Sequence, residues 1–157
     1  MHIRKAMPDD IDELKQLYFD TIVIVNKKDY TEEQVQAWAS TAYRSNGLLK
    51  RMNEQYFFVA KNEDKKIIGF ASLAKSGYLD LLYVHKYFQR TGVAKHLLQK
   101  IIDTATELNI SRLETDASIT AKPFFEKHNF TTIRQQTVTI SNIDLINYKM
   151  ERILYSS

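Results

Sequence analysis

Three strand-like runs follow one another in the middle of the chain and lead straight into a long amphipathic helix. "QYFFVAKN", "KKIIGFASLAK" and "GYLDLLYVH" are apolar and rich in β-branched and aromatic residues, and only the turn signals "NEDKK" and "KSG" divide them. Connections this short predict successive antiparallel strands. After Val84 the period changes. Between about Gly92 and Leu108, Val93, Ala94, Leu97, Leu98, Ile101, Ile102, Ala105 and Leu108 recur on one helical face. A sheet with a helix packed on it is the arrangement that buries both.

The flanks extend this pattern. "HIRKA" reads as a first strand. "PDDIDELKQLYFDTIVIV" reads as a helix with Pro8 in its first turn, acids at its positive end, and Ile11, Leu14, Leu17, Tyr18 and Ile22 at helical spacing. "YTEEQVQAWAS" predicts a second helix capped by Thr31, with Gln34 completing the box. Beyond the long helix, "ISRLETDA" reads as a strand and "TAKPFFEKHNF" as a short helix running into another strand. "TIRQQTVTI" and "DLINYKMERIL" close the chain as a hairpin over "SN". The predicted order is βααβββαβαββ, an α+β fold around a mixed, mostly antiparallel sheet. No repeat or Pro/Gly/Ser-rich linker interrupts it, so residues 1–157 read as one domain.

Composition removes several functions. With no cysteine there is no disulfide, thiolate metal site or cysteine nucleophile. The four histidines have no ligand-like spacing, so no metal site is read. The apolar runs are too short to cross a membrane, and the charged N-terminal segment does not read as a signal peptide. These features suit the cytoplasm. A net charge of +3, from 22 basic and 19 acidic residues spread along the chain, fits an anionic ligand better than a nucleic acid.

"YVHKYFQRTGVAKHLLQK" holds one of only four glycines, Gly92, where a strand turns into the long helix. The first amides of a helix lack internal partners, and its dipole makes that end partly positive. Gln89, Arg90, Thr91, Gly92, Val93, Ala94 and Lys95 therefore offer a row of N–H donors with two cationic side chains beside them, suited to a pyrophosphate. Neither the G-x-x-x-x-G-K-[ST] nor the G-x-G-x-x-G pattern is present.

"LYVHKYFQRTGVAKHLLQKI" resembles motif A of the GNAT N-acetyltransferases, a strand with an aromatic-Val step followed by Q/R-x-x-G-x-G/A. "SITAKPFFEKHNF" is similar to that family's later helix, N-x-x-A-x-x-F-Y-E-K-x-G-F, and the element order agrees over nearly the whole chain. The resemblance implies splayed central strands flanked by helices, and acetyl-CoA as cofactor. Its pyrophosphate would lie on the amides of Gln89 to Lys95. Its pantetheine arm would pair with the backbone of Leu82, Tyr83 and Val84, and Ser118 and Phe125 would stand beside it.

Two departures bear on the chemistry. The family's usual proton donor to the leaving thiolate is a tyrosine, and that position is Phe125; the asparagine before it is Ser118. The glycine before the final Phe is Asn129, which also tolerates a left-handed backbone. Tyr78, Tyr83 and Ser118 are the hydroxyls that could substitute. Tyr78 stands where the family often carries a glutamate base; Asp80, two residues on, should face the same side if no bulge intervenes, as base or water anchor. Asn26, Tyr30, Trp38 and Tyr78 are the candidate acceptor contacts.

The expected function is transfer of an acetyl group to a primary amine of a small molecule or peptide, by direct attack on the thioester, by a protein that could pair as a homodimer. The alternative is an acyl-CoA-binding protein with little turnover, for which Phe125 is the motive.

Overall fold

The computed structural model describes residues 1–44 and 46–155. Strand β1 (His2–Lys5) precedes helices α1 (Ile11–Ile24), α2 (Glu32–Ala39), α3 (Thr41–Arg44) and α4 (Gly47–Glu54). Strands β2 (Tyr56–Lys61), β3 (Ile67–Leu73) and β4 (Leu79–Val84) follow, then α5 (Val93–Glu107), β5 (Arg112–Ser118), α6 (Lys122–Lys127), β6 (Thr131–Ile140) and β7 (Ile143–Ile153). One sheet runs β1-β2-β3-β4 and the other β5-β7-β6, with antiparallel pairing within each.

The expected α+β architecture is present, with two more helices before β2 than the sequence pattern predicts. Helix α4 is short and buries only Leu48 and Met52, one turn apart. Two apolar positions do not establish a period, and so short a helix is marginal without tertiary contacts. The capping box at Thr31 and Gln34 forms as read, at 3.2 and 2.9 Å. Ser141 and Asn142 both adopt positive φ between β6 and β7, as a tight hairpin turn requires.

Helix α5 lays Leu97 and Ile101 on one face of the first sheet, against Ala71 and Leu73. Helices α1 and α4 cover its other face, where Leu14, Leu17, Leu48 and Met52 meet Phe57 and Phe70. The α5-side core continues to Leu113, Ala117, Phe125 and Met150 of the second sheet. The two sheets are thus packed as one body although hydrogen bonds barely join them.

That join is a single clasp. Tyr78 bridges Glu114 in parallel, the Glu114 amide donates to the Gly77 carbonyl at 3.1 Å, and the Thr115 hydroxyl donates to the Leu79 carbonyl at 2.8 Å. Beyond it β4 and β5 part. Gly77 turns at φ +96°, and a Cβ there would come within 2.6 Å of the Arg112 carbonyl oxygen. Only glycine meets both demands.

A bulge follows the clasp. Leu79 faces Leu73 and Leu81 faces Ser72, which leaves Asp80 as the extra residue. The no-bulge condition behind the expected shared face of Tyr78 and Asp80 is therefore not met. Asp80 nonetheless reaches the α4 side, and Leu81 packs into the same α1–α4 cluster, so the extra residue is absorbed between them.

Gly77→Ala is expected to lower unfolding stability by about 2–4 kcal/mol, from strained φ and a main-chain collision. Urea denaturation measures this. An unchanged midpoint would show that the clasp is not built around Gly77.

Candidate active site

The gap between β4 and β5 opens into a cleft of about 760 Å³, a size suited to a cofactor with an acceptor. On its β4 wall the main chain has a defined orientation. The His85 amide donates to the Ile68 carbonyl at 2.8 Å, so by antiparallel alternation Tyr83 bonds toward β3, while Leu82 and Val84 turn their main-chain groups to the gap. The Val84 carbonyl is already taken by the Thr21 hydroxyl at 3.0 Å and the Gln89 side-chain Nε2 at 2.6 Å. Its N–H, with the main-chain groups of Leu82, is left facing the gap.

At one end of the cleft lies the turn into α5. Arg90 and Gly92 both have positive φ, 60° and 90°, which curls the backbone into a concave nest. Among the described residues, no main-chain amide from Gln89 to Lys95 donates a hydrogen bond; the first to do so is His96, to the Gly92 carbonyl. A Cβ on Gly92 would meet nothing closer than His96 Nδ1 at 3.7 Å. The turn needs this glycine for its φ, and the outer surface of the turn remains open to a ligand. Thr91 is not part of the cleft wall; its hydroxyl bonds the Phe88 carbonyl. Lys127 and His128 join Arg90 and Lys95 at this end. The His128 imidazole is held below its usual range by burial, then by Lys127, Lys95 and Arg152 around it. This end of the cleft is electropositive.

Asn26, Trp38, Asp80, Tyr83 and Ser118 are further residues lining the cleft. Asp80 Oδ2 accepts from Arg51 Nε at 2.7 Å and Gln55 Nε2 at 2.9 Å, both contributed by the α4 segment. The Tyr83 ring stacks on Phe70 and lies 4.7 Å from Tyr18, between centroids. Burial of its phenol, and Tyr18 beside it, hold it well above the usual range, so it stays protonated. The Ser118 hydroxyl accepts the Ala121 amide at 3.0 Å, capping the entry to α6.

Tyr30 and Tyr78 stand differently from their expected role as acceptor contacts. Neither lines the cleft. The Tyr30 hydroxyl donates to the Ile146 carbonyl at 2.8 Å and accepts the Ile119 amide at 2.9 Å, so it braces β7 against the end of β5. Trp38 packs edge-on against it at 5.5 Å. The Tyr78 hydroxyl donates to Asp116 at 2.7 Å, and burial together with that carboxylate pushes its pKa far up. Phe125 is 3% exposed and packs on Phe130 at 4.9 Å, an apolar wall without a donor.

Sequence reasoning missed Thr21, Arg51, Gln55, Asp116 and Thr120. Asp116 was within reach, since it alternates with Ser118 onto one face of β5. Thr120 lies two residues past Ser118, whereas Thr21, Arg51 and Gln55 come from elements far apart in sequence. Among the described residues, no group of His, Asp or Glu side chains could hold a metal ion, and no helix is long and apolar enough to cross a membrane.

A splayed pair of strands with a nest of open amides at the next helix defines a class, and residues 26–152 match its family model, the acetyltransferase (GNAT) domain. The chain belongs to the GNAT acetyltransferases and uses acetyl-CoA as co-substrate. YafP of Escherichia coli (strain K12), described as an uncharacterized N-acetyltransferase, is 32% identical over 96% of this chain and 94% of its own. A GCN5-related N-acetyltransferase structure from Rhodopseudomonas palustris superposes with a TM-score of 0.93 at 29% identity, over 98% of this chain and 95% of that one. PaiA N-acetyltransferase from Thermoplasma acidophilum, solved with coenzyme A, gives 0.80 at 20% identity, over 97% and 98%.

The residues present fit this co-substrate. Open amides and cations suit a pyrophosphate, and an extended arm can use the main-chain groups of Leu82 and Val84 as an added strand would.

Gly92→Glu is expected to weaken coenzyme A binding at least about 30-fold, about 2 kcal/mol, by setting a carboxylate over the nest. Gly92→Ala should cost about 1–2 kcal/mol of stability and leave binding nearly intact. Calorimetric titration distinguishes the two, and equal affinity for wild type and Gly92→Glu would refute the nest. The His128 pKa, followed by NMR, should rise when coenzyme A brings negative charge among its cations; no movement would put the phosphates elsewhere.

Proposed function

We propose that the protein transfers the acetyl group of acetyl-CoA directly to a primary amine, with both substrates held across the gap between β4 and β5. Acetyl-CoA supplies an acyl group activated as a thioester. The observation carrying the proposal is the Val84 N–H, which turns into the gap. A donor fixed there stabilises an oxyanion without reorganisation.

The acceptor must lose a proton before it attacks. For a lysine-like amine with a pKa of about 10.4, this costs about 4.6 kcal/mol at pH 7. Asp80 is the carboxylate we assign to that proton's exit. Arg51 and Gln55 hold one of its oxygens, and the other can accept from the amine or from an ordered water. Asn26 and Trp38 are the acceptor contacts we retain: Asn26 is 6% exposed beside the cleft, and Trp38 lines it, where an indole ring suits a cation. A cytoplasmic location agrees with the absence of cysteine.

Asp80→Asn should lower kcat/KM for the amine about 100-fold and leave coenzyme A affinity within about twofold. The loss should shrink as pH rises toward the amine's own pKa, because free base is then supplied by solvent. A rate equal to wild type across the pH range would remove Asp80 from the mechanism.

A further inference from the structure

His85 follows Val84 directly and opens the turn that carries the nest. It is 8% exposed and does not line the cleft. Its side chain lines a second cavity of about 250 Å³ beside α1, together with Glu13, Asp20, Lys66, Lys86 and Tyr87. A buried imidazole turned away from the reacting groups has no part in the chemistry described so far.

This imidazole holds the turn. Its Nδ1 accepts the Tyr87 amide at 3.1 Å, so the neutral ring carries its one proton on Nε2. Among the described residues, a single bond within 85–91 joins main chain to main chain, from the Phe88 amide to the His85 carbonyl at 2.9 Å. The other ties use side chains: the Thr91 hydroxyl on the Phe88 carbonyl, and Gln89 Nε2 on the Val84 carbonyl. The Phe88 ring stands edge-on to the imidazole at 5.6 Å and lines the cleft. Two residues further on, Arg90 takes the positive φ that begins the nest. With so few main-chain bonds, the turn takes its shape from these side-chain acceptors and donors.

The surroundings suit a neutral ring. Both nearby carboxylates of α1 are already engaged. Glu13 accepts the Ile67 amide at 2.7 Å, and Asp20 takes Lys86 Nζ at 3.3 Å and Gln16 Nε2 at 2.8 Å. Lys66, Lys86 and the Tyr87 phenol complete the titratable groups of the cavity. Burial, then Lys66 and Lys86, hold the imidazole below its usual range against the pull of Asp20 and Glu13.

We propose that His85 is a positioning residue for coenzyme A: its neutral Nδ1 fixes the turn that presents the nest, and a proton taken up at Nδ1 releases the Tyr87 amide and loosens that turn. This rests on the nest reading of the site. Protonated, Nδ1 would face the amide donor to donor, with two lysines beside the new charge. The bound form requires the neutral ring, so affinity is full above the His85 pKa and is lost as pH falls through it. By reciprocity, coenzyme A lowers the His85 pKa. The His128 pKa is expected to move the opposite way.

The test is calorimetric titration with coenzyme A between about pH 7.5 and about pH 5, with histidine NMR on the same protein. His85→Asn offers an oxygen that accepts the amide two residues on and does not titrate. Wild type should lose about tenfold more affinity over this range than His85→Asn, and the two should agree at the upper pH. His85→Phe, which has no acceptor, should bind about tenfold more weakly there. On binding, the wild-type His85 pKa should fall. Parallel pH profiles for wild type and His85→Asn would overturn the proposal, and so would a His85 pKa that stays or rises. Should His85→Phe fail to fold, the comparison of His85→Asn with wild type decides it. Wild-type affinity in Gly92→Glu would count against the nest, whereas the His85 titration is read on the unaltered protein, so the two can fail separately.

Discussion

The site exists because β4 and β5 are joined at one end and nowhere else. The Glu114 amide on the Gly77 carbonyl and the Thr115 hydroxyl on the Leu79 carbonyl hold the strands together at their start. A few residues on, the same strands are far enough apart to admit a ligand. The twist of each sheet carries them apart, and the core under α5 keeps the two sheets from separating altogether. Had the strands stayed paired, Leu82 and Val84 would have spent their main-chain groups on β5. Had they not been clasped, the gap would have no fixed width.

This arrangement leaves main-chain donors unspent at the cleft. The main-chain amides from Gln89 to Lys95 and the Val84 N–H lie at this cleft without protein partners among the described residues. Elsewhere several polar side chains find partners at long range. Tyr30 links Ile146 of β7 to Ile119 just past β5, and Arg51 and Gln55 reach Asp80 across the first sheet. Chemistry sits where the pairing stops. The cleft lining carries the cations Arg90, Lys95 and Lys127 with His128, and the carboxylates Asp80 and Asp116.

Much of the fold was legible in local sequence. Apolar runs between turn signals gave β2, β3 and β4, the face from Val93 to Leu108 gave α5, and the cap at Thr31 gave the start of α2. The nest was readable as well, because the turn and the helix end that form it are contiguous. Helix α4 was not, since its two buried residues acquire meaning only beside Phe57 and Phe70. The bulge at Asp80 was invisible because strand propensity carries no register. Tyr30 read as an aromatic ready for a substrate, and its hydroxyl is consumed by partners 89 and 116 residues away.

What the sequence determined by itself is therefore local: which segments are strands and helices, where the chain turns, and where a helix presents open amides to an anion. Those depend on propensity, periodicity and backbone sterics within a few residues. The tertiary structure alone decided which groups are left over. Whether Val84 or Tyr83 turns its amide to the cleft depends on β3 pairing, and whether Asp80 has a counter-ion depends on α4. A hydrogen-bond vacancy is a property of the surroundings, and the surroundings are brought together only by folding.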